Sequence, residues 1–153
     1  MRTAYRVLAF VIAAEVAIQA AAIAYAIFGL GVWIQGGGVL DKATMESESS
    51  TFAGDGGFAL HGINGEMVIP VLVIIFLVLS FFAKVPRGVM WAGITLGLVA
   101  LQVLLGLFGN VVPFLGALHG INALLIFGVA VMAAMAARGH TAAHRTVEPS
   151  AAG

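Results

Sequence analysis

Two histidines of this chain stand at the same position of a pentapeptide that occurs twice. Leu-His-Gly-Ile-Asn occupies residues 60–64 and again residues 118–122, so the repeat contains His61 and His119. A neutral imidazole binds a metal ion through one ring nitrogen, while its other N–H group donates to a carbonyl that fixes the ring. The matched pair predicts the two axial ligands of one haem b iron per chain. The alternative interpretation is that the segment was duplicated and that both histidines serve only in helix packing.

The residues around these histidines are small or carry an amide. Small residues let helices approach closely and leave room for a planar macrocycle. In addition to the histidines, we expect the cofactor site to include Gly62, Asn64, Gly65, Gln102, Gly106, Gly120, Asn122 and Ala123. The asparagines and Gln102 are also expected to form hydrogen bonds between helices. Each histidine N–H group is expected to reach the carbonyl one turn back, at Gly57 or Leu115.

The composition places these residues in lipid. The 153 residues are 61% hydrophobic and 9% charged, with a mean hydropathy of +1.09, whereas a soluble domain keeps about 25% charged residues. The absence of cysteine excludes disulfides, thiolate zinc sites, iron–sulfur clusters and thioether-attached haem. Zinc or copper is less favoured than haem, because two histidines without a cysteine or a nearby acid are too few ligands. The lipid bilayer is the first expected partner, and no nucleic-acid partner is predicted.

Four apolar segments are each long enough to cross a hydrocarbon core of about 30 Å, which needs about 20 helical residues. They span residues 5–34, 58–83, 88–109 and 113–137. We predict an all-α membrane protein in which these segments form an up-down bundle of four transmembrane helices within one domain, residues 1–138. Residues 35–57 then form an extracytoplasmic loop, and the small, polar tail at 139–153 is predicted to be disordered.

The basic residues predict the orientation of the bundle. Six of the seven lysines and arginines precede the first segment, lie between the second and third, or follow the fourth: Arg2, Arg6, Lys84, Arg87, Arg138 and Arg145. Lys42 alone lies on the other side. Because cytoplasmic loops carry the excess of basic residues, both termini are predicted to be cytoplasmic, in a multi-pass protein of the bacterial plasma (inner) membrane.

The repeated pentapeptide also predicts an internal symmetry. Each copy lies near the start of an even-numbered segment, and the second and fourth helices of an up-down bundle run parallel and diagonally opposite. We therefore expect two helix hairpins related by a pseudo-twofold axis along the membrane normal. His119 lies six residues beyond Pro113, which is about 9 Å at 1.5 Å per residue. The haem is thus predicted in the outer leaflet, with its propionates near two helix N-termini.

Two acidic residues lie inside the apolar segments. Glu15 is expected either to act in a proton relay or to be protonated or snorkelling near Arg6. Glu66 is expected either to guide protons toward a quinone or to pair with Gln19 or Gln102. The sequence leaves both pairs of alternatives open.

A family resemblance rests on Leu-Gln-Val-Leu-Leu-Gly at 101–106, on Pro113 and on Leu118-His119. This pattern resembles one four-helix half of haem A synthase, a family of two such halves in which each half has one histidine on its second helix and one on its fourth. The resemblance extends over nearly the whole chain in layout and implies the haem b-binding half. The Glu-x-x-His-Arg motif of that family's catalytic half is absent, so the resemblance does not extend to hydroxylation of haem.

Two histidine ligands would make the haem iron six-coordinate, which favours electron transfer over oxygen activation. We therefore predict an electron-transfer protein, or an accessory cytochrome subunit of a respiratory or other membrane complex, rather than a stand-alone enzyme. Its expected redox partner is a quinol or an extracytoplasmic protein, and a homodimer would recreate an eight-helix arrangement. A haem carrier or sensor and a cofactor-free structural subunit are the alternative functions.

Overall fold

The computed structural model describes residues 1–47 and 49–138, and this part of the chain is helical and contains no β-strand. Its helices are α1 (Arg2–Gln35), α2 (Lys42–Met45), α3 (Gly56–Ser80), α4 (Gly88–Gly109) and α5 (Pro113–Ala136). All except α2 are long and apolar enough to cross a membrane. The predictions of an all-α protein and of a multi-pass membrane protein are therefore confirmed. The tail at 139–153, including Arg145, lies outside the described residues.

The turn between α3 and α4 differs from its prediction. The second apolar segment was expected to remain helical to residue 83, but α3 ends at Ser80. Residues 81–87 are instead used to reverse the chain, and Lys84 and Arg87 adopt left-handed φ angles of 51° and 56° there. The Arg2 guanidinium donates to the Lys84 carbonyl at 2.8 Å. The start of α1 and this turn therefore lie at the same end of the molecule.

α3 is interrupted by a π-helical turn over Asn64–Val68. Pro70 lies two residues beyond the end of this turn. Proline both lacks an N–H group and crowds the carbonyl four residues back, which here belongs to Glu66. A π turn relieves such crowding by inserting one extra residue into the helix, and such insertions are frequent at functional sites.

The inserted residue changes the correspondence between α3 and α5. Up to the first residue of the π turn, matching residues lie 58 positions apart, as the buried Asn64 and Asn122 do. After it, matching buried residues lie 57 positions apart: Ile69 with Ile126, Val73 with Ala130, and Phe76 with Ala133. The π turn therefore keeps both the repeated pentapeptides and the rest of the core in register.

The four long helices pack in a ring of neighbours, because α1 and α4 each contact both α3 and α5. Near the start of α1, the rings of Tyr5 and Phe76 lie 4.5 Å apart, centroid to centroid, and both side chains are fully buried. Ala130 and Ala133 are also fully buried, and small residues of this kind allow close approach of membrane helices. Most large apolar side chains point outward, where lipid would surround them.

The segment before α3 folds back onto α1. Phe52 stacks on Trp33 with ring centroids 5.7 Å apart. The Asp55 carboxylate accepts hydrogen bonds from the Thr51 N–H group at 2.6 Å and from the Ser50 hydroxyl at 3.0 Å. These two donors hold the pKa of Asp55 below its usual value. Because the folded-state pKa is lowered, this contact stabilises the segment at neutral pH and is lost as the pH falls through that pKa.

We expect Gly29→Ala to detach this segment from α1. A Cβ at Gly29 would collide with the carbonyl oxygen of Ala53, and overpacking of this kind costs about 1–3 kcal/mol. Limited proteolysis should therefore cleave residues 49–55 roughly tenfold faster than in the wild type. Gly31→Ala is the matched control, because a Cβ at Gly31 meets no atom within 4 Å. Equal cleavage rates in the two variants would contradict the described packing.

Candidate functional site

The structure brings the two repeated histidines close together. The ring centroids of His61 on α3 and His119 on α5 lie 6.0 Å apart, with the ring planes inclined at 55°. His61 Nδ1 lies 3.2 Å from the Gln19 carbonyl oxygen, and His119 Nδ1 lies 3.0 Å from the Gln102 carbonyl oxygen. A carbonyl can only accept, so each Nδ1 must be the protonated nitrogen. The Nε2 atom of each neutral ring is then free to bind a metal ion.

The expected partners of these N–H groups were wrong. The sequence predicted the carbonyls of Gly57 and Leu115, one turn back in the same helices, but the acceptors lie on the neighbouring helices α1 and α4. The carbonyl one turn back already accepts the backbone N–H group of the histidine itself. A carbonyl on a neighbouring helix uses its second lone pair for the ring, and the interaction also joins two helices.

A second internal repeat contains both acceptors. Glu-Val-Ala-Ile-Gln ends at Gln19 and Leu-Val-Ala-Leu-Gln ends at Gln102. Each glutamine contributes its backbone carbonyl to the histidine of the following even-numbered segment. Gln19 was missed as a site residue at the sequence level, and this repeat is the signal that could have identified it.

The two asparagines of the pentapeptides bind neighbouring helices, as predicted. Asn64 Nδ2 donates to Glu15 Oε2 at 2.8 Å. Asn122 Nδ2 donates to the Leu98 carbonyl at 2.9 Å and to Gln102 Oε1 at 2.7 Å. Both asparagines are buried, and neither belongs to the cavity wall described next.

A cavity of about 710 Å³ adjoins both histidines. Its wall contains the histidines and six further residues of the predicted site: Gly62, Gly65, Gln102, Gly106, Gly120 and Ala123. A Cβ at Gly62 or Gly120 would meet no atom within 4 Å, so these glycines border open space. At Gly106 a Cβ would lie 3.2 Å from His119 Cε1, which is tight. Gly106 therefore lets the His119 ring lie close against α4.

Two further polar residues belong to the same wall. Gln19 is buried, with 9% of its surface exposed, and neither amide atom has a hydrogen-bond partner among residues 1–47 and 49–138. Glu66 lines the cavity and is also exposed at the surface of the bundle. Within the same described ranges, Glu66 forms no hydrogen bond with Gln19 or Gln102, so the predicted pairing is absent.

We expect Asn122→Ala to destabilise the protein. The substitution removes both donations from the buried Asn122 and leaves the half-buried Gln102 Oε1 without its partner, at a cost of about 1–3 kcal/mol. Unfolding of the detergent-solubilised protein should report this loss. Ile121→Ala is the control, since Ile121 is 58% exposed and a surface substitution changes stability by about 0.5 kcal/mol or less. Equal stabilities of the two variants would contradict the role given to Asn122.

The described part of the chain has no group of three or more histidine, cysteine, aspartate or glutamate side chains that could hold a metal ion unaided. Comparison with known proteins found no match to this chain among family models, curated proteins or solved structures.

Proposed function

We propose that the protein is a small membrane cytochrome that binds one haem b between α3 and α5, with His61 and His119 as the axial ligands, and that it transfers electrons. The observation that carries the proposal is the close pair of imidazoles, 6.0 Å apart, beside a cavity with glycines in its wall. The cavity volume of about 710 Å³ falls within the range of about 300–1,000 Å³ for small-molecule and cofactor pockets.

The distance between the rings fits two ligands on opposite sides of one iron. A metal–imidazole nitrogen bond is about 2 Å long, so two such ligands have ring centroids roughly 6 Å apart. The macrocycle supplies four nitrogens to the iron, which leaves two positions for protein ligands. His61 and His119 fill these positions, and the carbonyls of Gln19 and Gln102 fix their tautomers and orientations.

The residues around the pair fit a planar, largely apolar group. Gly62 and Gly120 leave space beside the rings, and Gly106 lets His119 approach α4. Anionic propionates would find the positive ends of helix dipoles at the N-termini of α3 and α5. When bound, the haem supplies a one-electron redox centre, and the protein supplies its position, its ligands and a low-dielectric surrounding.

The proposal includes an up-down bundle with a pseudo-twofold axis along the membrane normal. The matched bonds of His61 to α1 and His119 to α4 support this symmetry. The contact of Arg2 with the Lys84 carbonyl supports a common basic end, which the positive-inside rule assigns to the cytoplasm of a bacterial plasma membrane. The proposal also draws on the resemblance of the sequence pattern to the haem b-binding half of haem A synthase.

A haem held in this way has no open iron position, so its chemistry is electron transfer. Its ligands lie about 8–9 Å from the starts of α3 and α5 at 1.5 Å per residue, which is in the outer leaflet. The electron partner is therefore a lipid-soluble quinol, an extracytoplasmic redox protein or another subunit of a membrane complex.

The test of this function is the reaction of the reduced protein with carbon monoxide. We expect the ferrous protein to keep its absorption spectrum in carbon monoxide and to titrate reversibly as a one-electron centre. A spectrum that shifts in carbon monoxide would reveal an open iron position, and the proposal of an electron-transfer protein would then be wrong.

A further inference from the structure

The two flanks of the cavity differ in polarity, although they are built from repeated sequences. On the α4 flank, Gln102 Oε1 accepts from Asn122, which satisfies part of its amide. On the α1 flank, the corresponding asparagine, Asn64, donates to Glu15 instead. The counterpart of Glu15 in the second repeat is an apolar residue, Leu98. Glu15 thus draws Asn64 away from the amide of Gln19.

The consequence is an amide in the cavity wall with unused hydrogen-bonding capacity. Gln19 is about nine-tenths buried, and both Nε2 and Oε1 lack partners in the described ranges. A buried polar group without a partner costs about 1–3 kcal/mol. Native structures rarely retain such a group unless water or a ligand satisfies it.

A carboxylate, that of Glu66, lines the same cavity as this amide. A Cβ at Gly65 would stand 3.4 Å from Gln19 Nε2, and Glu66 is the next residue along α3. Glu66 corresponds to the apolar Leu124 on the opposite flank, and both line the cavity. Glu66 lies ten residues into α3, about 15 Å below its start, which is near the middle of a hydrocarbon core of about 30 Å.

An exposed acid at that depth points to a functional role. Because Glu66 belongs to the cavity wall and also reaches the outer surface of the bundle, the cavity opens toward lipid there. A ligand entering at this point must be soluble in the bilayer. It must also carry an oxygen that accepts from an amide N–H group and a hydroxyl that donates to a carboxylate.

We propose that the part of the cavity bordered by Gln19 and Glu66, next to the part that the haem occupies, binds a membrane-soluble hydroquinone and the corresponding quinone. Gln19 Nε2 donates to a ring oxygen in either state, and the Glu66 carboxylate accepts the hydroxyl hydrogen of the hydroquinone. This inference rests on the proposed haem, because the bound hydroquinone needs an electron acceptor close by.

The reaction balances with ferric iron as the oxidant. One hydroquinone loses two electrons and two protons and becomes a quinone. The electrons reduce the ferric haem iron of two protein molecules to ferrous iron, one electron in each encounter. The O–H bond breaks each time, and its proton passes to the Glu66 carboxylate and from there to the aqueous phase.

The experiment uses duroquinol as the reductant and duroquinone as the binding probe. Anaerobic stopped-flow absorbance follows reduction of the ferric haem in the wild type, Gln19→Leu, Glu66→Gln and Glu46→Gln. The last variant removes an exposed loop carboxylate as the matched control. Thermal unfolding with and without duroquinone measures binding independently of electron transfer.

We expect Gln19→Leu and Glu66→Gln to reduce the rate with duroquinol by at least about tenfold and to lose the stabilisation by duroquinone. Their haem spectra and their reduction by dithionite should remain those of the wild type, and Glu46→Gln should match the wild type throughout. Wild-type rates and stabilisation in the two site variants would overturn the quinone site while leaving the haem in place. If a site variant loses its haem, its reduction rate cannot be compared, and the stabilisation of the wild type by duroquinone becomes the test. A wild type that duroquinone does not stabilise also overturns the quinone site. A wild type without a haem spectrum would instead overturn the proposed function.

Discussion

Replacing either His61 or His119 with alanine is expected to reduce the haem content of the purified protein at least about tenfold, because each loses one of the two bonds from protein to iron. The remaining histidine keeps its hydrogen bond to Gln19 or Gln102 and its place in the helix. The double variant should have no Soret absorption. Haem content per chain is measured by absorbance after alkaline pyridine treatment.

The chain offers a matched control for these substitutions. His140 and His144 lie outside the described residues, and their replacement by alanine removes two histidines while every described residue of the cavity wall is kept. This control should retain one haem per chain. A double variant at His61 and His119 that keeps the wild-type Soret band would show that other groups hold the haem.

Gly62→Leu is expected to exclude haem while leaving the helices in place. A Cβ at Gly62 would meet no atom within 4 Å, and Gly62 lines the cavity together with His61. We therefore expect leucine at this position to change the stability of the haem-free protein little and to block the space that the macrocycle would fill. We expect haem content to fall at least about tenfold, whereas helix content by circular dichroism stays at the wild-type level.

Gly128→Leu separates this effect from the cost of adding a leucine to a membrane helix. Gly128 is half-buried on α5, also has no atom within 4 Å of a Cβ, and lies outside the cavity wall. The control should bind one haem per chain. Full haem content in Gly62→Leu would mean that the macrocycle does not occupy the cavity beside His61.

The repeated pentapeptide was sufficient to predict which two histidines the fold brings together. The prediction was possible because a duplicated motif places identical residues on corresponding faces of two helices. The lengths of the apolar segments determine which helices contain the two copies. The same reasoning could not find the acceptors of the histidine N–H groups. Every residue has a backbone carbonyl, so residue type cannot show which carbonyl on another helix is the acceptor. Only the second repeat, which ends at Gln19 and Gln102, indicates these two acceptors.

The asymmetry of the cavity was also beyond sequence reasoning. Pro70 indicates a disturbed helix, but not that one residue is inserted as a π turn over Asn64–Val68. Likewise, Glu15 was recognised as an acid in an apolar segment, whereas its contact with Asn64 depends on how α1 packs against α3. Interhelical packing decides which of two similar glutamines keeps a free amide.

The most direct test of the central claim is the absorption spectrum of the purified wild-type protein, taken together with its haem-to-chain ratio. We predict a Soret band, sharp α and β bands of six-coordinate low-spin haem b in the reduced state, and one haem per chain. If protein expressed with sufficient haem supply and purified in folded form has no Soret band, the chain does not bind haem b.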